Sequence, residues 1–215
     1  MSFQTTLIAL DLAGVFVFAI SGALGAARKG MDIVGMFVLG LVTATGGGAL
    51  RSMLIGDLPV PFLRSPWPLA IAVIATLGAF FFSGLVDRFI MRPIRLFDAI
   101  GLGVFLAAGE AVALNLGQPW WAALFLGCVT AVVGGVLRDI LRNELPFVFR
   151  PSELYATAAL IGGLAQLAGE HLGTGRGWAM LIGATITIVV RLFAIYFKWE
   201  TKPLPPESDA PTSAA

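Results

Sequence analysis

The sequence predicts an all-α integral membrane protein, and three observations carry that prediction. Of the 215 residues, 58% are hydrophobic and 13% are charged, whereas soluble domains average roughly 45–50% and about 25%. The apolar residues fall into runs of about 20, the length of a helix that crosses a bilayer. These runs lack the alternation of polar and apolar residues that marks a membrane β-barrel. A soluble enzyme, a disordered chain and a disulfide-rich secreted domain are therefore excluded.

Seven runs are long and apolar enough to be transmembrane helices. The first is preceded by no basic segment and contains Asp11, so we interpret it as a retained span and not as a signal peptide. Gly, Pro and charged residues separate the spans, and tryptophans lie near several of their ends, as is typical of the membrane interface. The predicted spans are Thr6–Ala27, Ile33–Ile55, Trp67–Val86, Phe97–Leu116, Trp120–Leu141, Leu154–Ala168 and Trp178–Phe197.

The chain repeats itself at an offset of 87 residues, as the match of Asp11 with Asp98 illustrates. The predicted domain covers residues 1–200, with repeat one at about 6–86, repeat two at about 97–169 and a seventh helix at about 178–197. Each repeat contains three spans, so the second copy enters the membrane from the opposite side. This is an inverted three-plus-three repeat. The Pro-rich tail, residues 201–215, is expected to be disordered. Identical pairs include Gly14/Gly101, Phe18/Phe105, Gly22/Gly109, Thr43/Thr130, Gly47/Gly134 and Leu58/Leu145.

The basic residues predict the orientation in the membrane. If the seven spans cross the membrane in alternating directions, 10 Lys and Arg lie on one side of the membrane and 3 on the other. Arg191, inside span seven, is not counted. Positive residues concentrate on the cytoplasmic side of membrane proteins. We therefore expect the N-terminus outside and the C-terminus in the cytoplasm.

Glycine runs interrupt spans two and five at corresponding points. Each glycine costs about 1 kcal/mol relative to alanine inside a helix. We therefore expect both helices to break there, with the freed backbone groups facing protein or a water-filled cavity. Such paired breaks are typical of a permeation or substrate site. The alternative is close packing of helices through small residues. The glycines of the two runs are Gly46, Gly47, Gly48, Gly134 and Gly135.

Ionisable residues inside the spans are costly and commonly functional. We expect two symmetry-related ion pairs, Asp11 with Arg51 and Asp98 with Arg138, which either neutralise a pathway or only hold helices together. Hydroxyl groups near the breaks are further candidates, although they can instead bond a carbonyl of their own helix. The residues expected to line an ion pathway are Asp139, its repeat partner Ser52, Glu110, Thr43, Thr45, Thr130 and Ser21.

Other chemistries find little support in the sequence. The single histidine, His171, and the single cysteine, Cys128, provide no metal cluster, disulfide or nucleophilic relay. The net charge of +1 provides no electrostatic basis for binding nucleic acid. We therefore expect neither an enzyme nor a bound cofactor.

Two elements that occur once in each repeat resemble a known family. They are Gly-Gly-x-Leu-Arg followed by Ser52 or Asp139, and Leu-Pro-x-x-Phe at Leu58 and Leu145. With the inverted repeat, they resemble the prokaryotic trimeric intracellular cation (TRIC) channels.

The resemblance implies a homotrimer among the lipids of the cell inner membrane. It implies a pore in each subunit, lined by spans two and five, that conducts monovalent cations, chiefly potassium and also sodium. It also implies that the glycines are hinges and that Arg51, Arg138 and Asp139 lie near the pore. Val133 stands where repeat one has Gly46, so the second hinge is expected to be stiffer.

A secondary transporter of a small solute, such as a small amino acid, is the alternative function. Inverted repeats with broken helices at the membrane midplane are the usual architecture of such transporters. A channel gives unitary currents without a coupling ion, whereas a transporter gives slow, saturable uptake.

Overall fold

The computed structural model describes residues 2–89, 93–150 and 154–199. All the regular secondary structure of these residues is helical, and a long helix lies in each of the seven predicted regions. The predicted tail, residues 201–215, lies outside the described residues. The α-helices are α1 (Phe3–Ala27), α2 (Ile33–Ile55), the short α3 (Pro61–Arg64), α4 (Trp67–Phe89), α5 (Pro93–Asn115), α6 (Trp120–Leu141), α7 (Tyr155–His171) and α8 (Arg176–Phe197), with a 3₁₀ turn over Phe147–Phe149.

The bundle is that of an integral membrane protein. Five described helices are long and apolar enough to cross a bilayer: α1, α2, α5, α6 and α8. Part of α4, Trp67–Phe82, is a shorter apolar segment, and α7 has 17 residues. Large apolar side chains on the outside of the bundle, such as Val34, Phe81 and Trp120, are exposed. Contact with lipid removes the cost that such a surface would have in water.

Local sequence sets where the helices begin and end. The Asp32 side chain accepts a hydrogen bond from the backbone N–H of Gly35 at 2.8 Å and so caps the start of α2. Gly30 and Gly117, which match in the repeat, have φ angles of 71° and 78°. Only glycine adopts this left-handed conformation without strain, so these residues turn the chain after α1 and α5.

The core contains contacts that occur in pairs, in which each residue of one contact matches a residue of the other at the 87-residue offset of the repeat. The rings of Phe18 in α1 and Phe105 in α5 meet edge to face, with centroids 5.1 Å apart. A methyl group on Gly14 would overlap the Phe105 ring, and one on Gly101 would overlap the Phe18 ring. Each aromatic ring therefore packs on the glycine of the other repeat, and both glycines are required for α1 and α5 to approach.

The prediction that the second and fifth spans break at their glycines is wrong. Both α2 and α6 continue as uninterrupted α-helix through the glycine runs. The physical reason is that Gly47 and Gly134 are used for contact between helices, the alternative noted above. A helix with a continuous hydrogen-bond ladder tolerates glycine when the missing side chain lets another backbone approach.

Candidate functional site

The helices α2 and α6 cross with their backbones in contact. A methyl group on Gly47 would overlap the carbonyl oxygen of Thr130, and one on Gly134 would overlap the carbonyl oxygen of Thr43. These four residues form two pairs that match at the 87-residue offset. The crossing is therefore symmetric in its contacts and leaves no room for side chains between the two helices.

The remaining predicted hinge glycines have different surroundings. A methyl group on Gly46 would contact Leu137, and one on Gly135 would lie 2.6 Å from the hydroxyl of Tyr155. Gly48, in contrast, has no atom within 4 Å of that position. It lines a small cavity of about 20 Å³ together with Asp11.

The candidate hydroxyl groups mostly bond their own helices. Thr43 donates to the carbonyl of Leu39 at 2.6 Å, and Thr130 donates to that of Leu126 at 2.6 Å. Thr45 donates to the carbonyl of Leu41 at 2.8 Å and also lines the small cavity beside Gly48. These hydroxyls thus bond carbonyls of their own helices, which is the alternative to lining a pathway that the sequence left open.

Two larger cavities lie at opposite ends of α1. The first, which we call the Arg51 cavity, has a volume of about 410 Å³ and lies beside residues Leu7–Leu12 near the start of α1. The second, the Arg142 cavity, has a volume of about 270 Å³ and is bordered by Arg28 just beyond the end of α1. The crossing of α2 and α6 lies between these levels of the bundle.

A fully buried ion network surrounds Arg138 on α6. Its Nη1 lies 2.7 Å from Asp98 Oδ1, and its Nε lies 2.8 Å from Oδ1 of the neighbouring Asp139. Nη1 also donates to the hydroxyl of Ser21 at 2.6 Å. All four residues have zero exposed surface. The structure thus brings Asp98 and Arg138 together, and adds a serine from the other repeat.

Asp139 is fully engaged by this network. Its Oδ2 accepts a hydrogen bond from the backbone N–H of Phe147 at 3.1 Å, and Arg142 lies 3.5 Å from Oδ1. Asp139 therefore joins α6 to the loop that follows it. Neither of the two larger cavities is lined by Asp139.

Three residues of this region were not predicted from the sequence. Tyr155 donates to Asp98 Oδ1 at 3.2 Å, and Arg191, which is fully buried, lies 5.0 Å from the centre of the Tyr155 ring. Arg138 lies 4.8 Å from the centre of the Phe147 ring. A buried arginine over an aromatic face gains cation–π stabilisation. Of the three, Arg191 carried the available signal, an arginine in the middle of an apolar span.

The matching arginine of repeat one is held differently. Arg51 is 2% exposed, and its Nε and Nη1 have no hydrogen-bond partner among the described residues. Asp11 lines the same cavity, but no ion pair within 4.0 Å joins these two described residues. The structure therefore places the second predicted pair side by side without direct contact.

Glu110 lines none of the three cavities described above. It is fully buried, and neither carboxylate oxygen has a partner among the described residues. A methyl group on Gly163 of α7 would lie 2.7 Å from Oε2, and one on Gly127 of α6 would lie 3.0 Å from Cβ of Glu110. Glycines on two neighbouring helices therefore make the space that this side chain occupies. The part of the chain that the structure describes contains no group of three acidic, histidine or cysteine residues that could hold a metal ion.

The Arg142 cavity is strongly basic. Four arginines line it, with one carboxylate, Glu144. Glu144 is bound by Lys29 at 3.1 Å, Arg142 at 3.0 Å and Arg150 at 3.4 Å. Burial raises the pKa of Glu144, but the hydrogen bond from Lys29 and the positive charges of Arg142 and Arg150 outweigh it. The pKa of Glu144 is therefore below its ordinary value.

Comparison with known proteins places this arrangement in a family. A family model described as a glycine transporter matches the chain twice, over residues 8–84 and 95–171. A UPF0126 membrane protein of Deinococcus radiodurans is 44% identical over 164 residues, which are 75% of this chain and 76% of that protein. The UPF0126 inner membrane protein YadS of Escherichia coli is 36% identical over 194 residues, covering 90% and 92% of the two chains.

Solved structures share the fold. The orthologue of the TRIC trimeric intracellular cation channel from Rhodobacter sphaeroides is 36% identical, with a TM-score of 0.84 over 91% of this chain and all of that chain. A second TRIC cation channel, from work on conductance, is 37% identical, with a TM-score of 0.80 over 93% and 98% of the two chains. A channel of the same type from C. elegans, 17% identical with a TM-score of 0.57, shares the fold alone.

Proposed function

This chain belongs to the family of the prokaryotic TRIC channels, and from that premise we propose that it is a cation channel that prefers potassium. That the protein is a cation channel is supported by the solved TRIC cation channels that share its fold at 36–37% identity. The finer part, which concerns the pathway and the ion, is argued from the geometry below.

The observation that carries the proposal is that two cavities lie at opposite ends of the bundle with a helix crossing between them. The Arg51 cavity and the Arg142 cavity lie at opposite ends of α1, and the crossing of α2 and α6 lies between them. We place the permeation pathway along this line, with Thr45 and Gly48 on the side of the Arg51 cavity. In this conformation the pathway is closed where α2 and α6 meet.

The glycines at the crossing have a clear role in such a channel. Because Gly47 and Gly134 lack side chains, α2 and α6 touch and close the path. We propose that opening separates or bends these two helices, since glycine also permits the local change of backbone angles that bending requires. Thr43, Thr130, Ser52 and Asp139 would then come to line the pathway, which in the closed form they flank.

The charges near the crossing fit a path for cations. In the buried network, Arg138 contacts two carboxylates, those of Asp98 and Asp139. These two carboxylates therefore offset the positive charge of Arg138 beside the crossing. The pathway lacks a sequence that forms a ring of backbone carbonyls, so we expect weak selectivity between potassium and sodium.

The remaining features of the proposal concern assembly and orientation. The reciprocal contacts of Gly14 with Phe105 and of Gly101 with Phe18, together with a family model that matches twice, support an inverted repeat. The proposed orientation, with the N-terminus outside, is based on the distribution of Lys and Arg in the sequence. We propose a homotrimer in the bacterial inner membrane, in which every subunit has its own pathway. The structural neighbour from Rhodobacter sphaeroides is described as trimeric.

Single-channel recording tests this proposal. Purified protein is reconstituted in a planar bilayer between unequal concentrations of KCl, and then with NaCl on one side. Discrete currents that reverse near the potassium equilibrium potential are expected. A silent bilayer from protein that takes up a labelled small amino acid in liposomes, slowly and saturably, would favour the transporter alternative.

A further inference from the structure

The surroundings of the two matching aspartates, Asp11 and Asp98, differ between the repeats. In repeat two, Asp98 is held by Arg138 at 2.7 Å and by the hydroxyl of Tyr155 at 3.2 Å. A methyl group on Gly135 would lie 2.6 Å from that hydroxyl and 3.1 Å from Oδ1 of Asp98. The tyrosine therefore fills the space next to this glycine and this carboxylate.

In repeat one, the equivalent space is the small cavity of about 20 Å³. The residue that matches Tyr155 is Pro68, which has no hydroxyl group. A methyl group on Gly48, the match of Gly135, would meet nothing within 4 Å. Pro68, Gly48 and Asp11 all line the small cavity. A cavity of this volume has room for one occupant about the size of a water molecule.

The carboxylate of Asp11 is available to a ligand in this space. Asp11 is half-buried, and no hydrogen bond or ion pair joins it to another described residue. Asp98, in contrast, is fully buried. Arg51 lines the larger cavity but not the small one. Among the described residues that line the small cavity, the one charged side chain is therefore negative.

The other polar side chain at the small cavity is Thr45. Its hydroxyl donates to the carbonyl of Leu41 at 2.8 Å, so the lone pairs of its oxygen remain for a ligand. A carboxylate and a hydroxyl oxygen that both act as acceptors match a cation. Because calcium takes about six to eight oxygen ligands, one carboxylate and one hydroxyl suit a monovalent ion better. The match of Thr45 in repeat two is Val132, which offers no such oxygen.

We propose that Asp11, with the hydroxyl oxygen of Thr45, forms a binding site for a monovalent cation at the Arg51-cavity end of the pathway. Asp11 lines both the Arg51 cavity and the small cavity, so a cation in the wider space binds it before reaching the crossing of α2 and α6. The carboxylate that draws cations into the pathway is then Asp11 and not Asp139, and repeat two has no equivalent site. The place of this site on a pathway rests on the proposed function, whereas cation binding itself does not.

Single-channel currents at low KCl test the site with Asp11→Asn, which removes the charge and keeps the size of the side chain. We expect the unitary current to fall about twofold or more in one direction and less in the other, because the lost charge lies at one end of the pathway. The loss should shrink as KCl is raised, since salt screens the charge. Asp11→Glu should retain most of the wild-type current. An unchanged current, or equal losses in both directions, would overturn the inference.

The double variant Asp57→Asn/Arg64→Gln is the matched control. It removes from the wall of the Arg51 cavity a carboxylate that is already paired with an arginine. We expect its unitary current to equal that of the wild type in both directions. A loss as large as that of Asp11→Asn would mean that Asp11 has no special part, and would overturn the inference.

A binding measurement separates failure of this inference from failure of the proposed function. The melting temperature of the purified full-length protein in detergent is followed as potassium replaces N-methylglucamine, a bulky cation, at constant ionic strength. Because a ligand of the folded state stabilises it, potassium should raise the melting temperature of the wild type but not that of Asp11→Asn. If the wild type shows this difference but carries no current, the channel proposal fails and the cation site stands. A potassium effect that persists in Asp11→Asn would overturn the site, whatever the currents show.

Discussion

Replacing Gly47 with alanine measures how tightly α2 and α6 are pressed together. Gly47 and Gly48 are adjacent in the same helix, so both Gly→Ala substitutions gain the same helix propensity, about 1 kcal/mol. Only at Gly47 would the new methyl group overlap a backbone carbonyl, that of Thr130, while at Gly48 it would meet nothing within 4 Å. The difference between the two variants therefore isolates the cost of the contact.

The size of this difference follows from what must move. Overpacking a well-packed interior costs about 1–3 kcal/mol. A backbone carbonyl cannot rotate away as a side chain can, so we expect the upper part of that range. Gly48→Ala should raise the free energy of unfolding by up to about 1 kcal/mol, and Gly47→Ala should lie about 2–3 kcal/mol below it.

Equilibrium unfolding in mixed micelles, followed by far-ultraviolet circular dichroism, measures both variants under one set of conditions. Gly134→Ala, the repeat partner of Gly47, should behave as Gly47→Ala does, because it would meet the carbonyl of Thr43. Equal stability of Gly47→Ala and Gly48→Ala would refute the reasoning, since it would mean that the helices do not touch at this point.

Three further predictions concern the buried charges. Asp98→Asn removes one of the two carboxylates on Arg138 and should lower the free energy of unfolding by about 3 kcal/mol. Asp11→Asn, at the matching position without an ion pair, should change it by less than about 1 kcal/mol. Equal losses for the two variants in denaturant titrations would contradict the asymmetry of the repeats. Glu110→Leu replaces a fully buried carboxyl that has no partner among the described residues. It should raise the melting temperature, by an amount equivalent to a gain of about 1 kcal/mol or more in the free energy of unfolding. A lower melting temperature would reveal a partner for this group. The pKa of Glu144 is lower in the folded protein than its ordinary value, so its contribution to stability is complete above about pH 4.3 and is lost as the pH falls through the folded pKa. The melting temperatures of Glu144→Gln and the wild type should therefore converge in acid. A difference in melting temperature that stays constant at every pH would count against this.

Much of the architecture follows from the sequence because it depends on local properties. The length of the apolar runs predicts helices that cross a bilayer, and five of the described helices, α1, α2, α5, α6 and α8, are long and apolar enough to do so. The helices α2 and α6 begin and end at the predicted residues. The repeat also predicted which residues would be equivalent, such as Gly47 with Gly134. An arginine with aspartates nearby indicated that charge would be buried with charge, and Asp98 does contact Arg138.

Only the tertiary structure decided what the glycines and the charges do. A glycine run is compatible with both a broken helix and a close crossing, and the choice depends on whether the carbonyl of Thr130, far away in sequence, faces Gly47. The contact of Arg138 with Ser21 joins residues 117 positions apart, and the role of Tyr155 beside Asp98 depends on where α7 packs. The physical reason is that sequence periodicity determines which residues share a helix face but carries no record of which face lies opposite. For the same reason, two arginines at equivalent positions, Arg51 and Arg138, differ in their partners, because the residues that surround each of them come from both repeats.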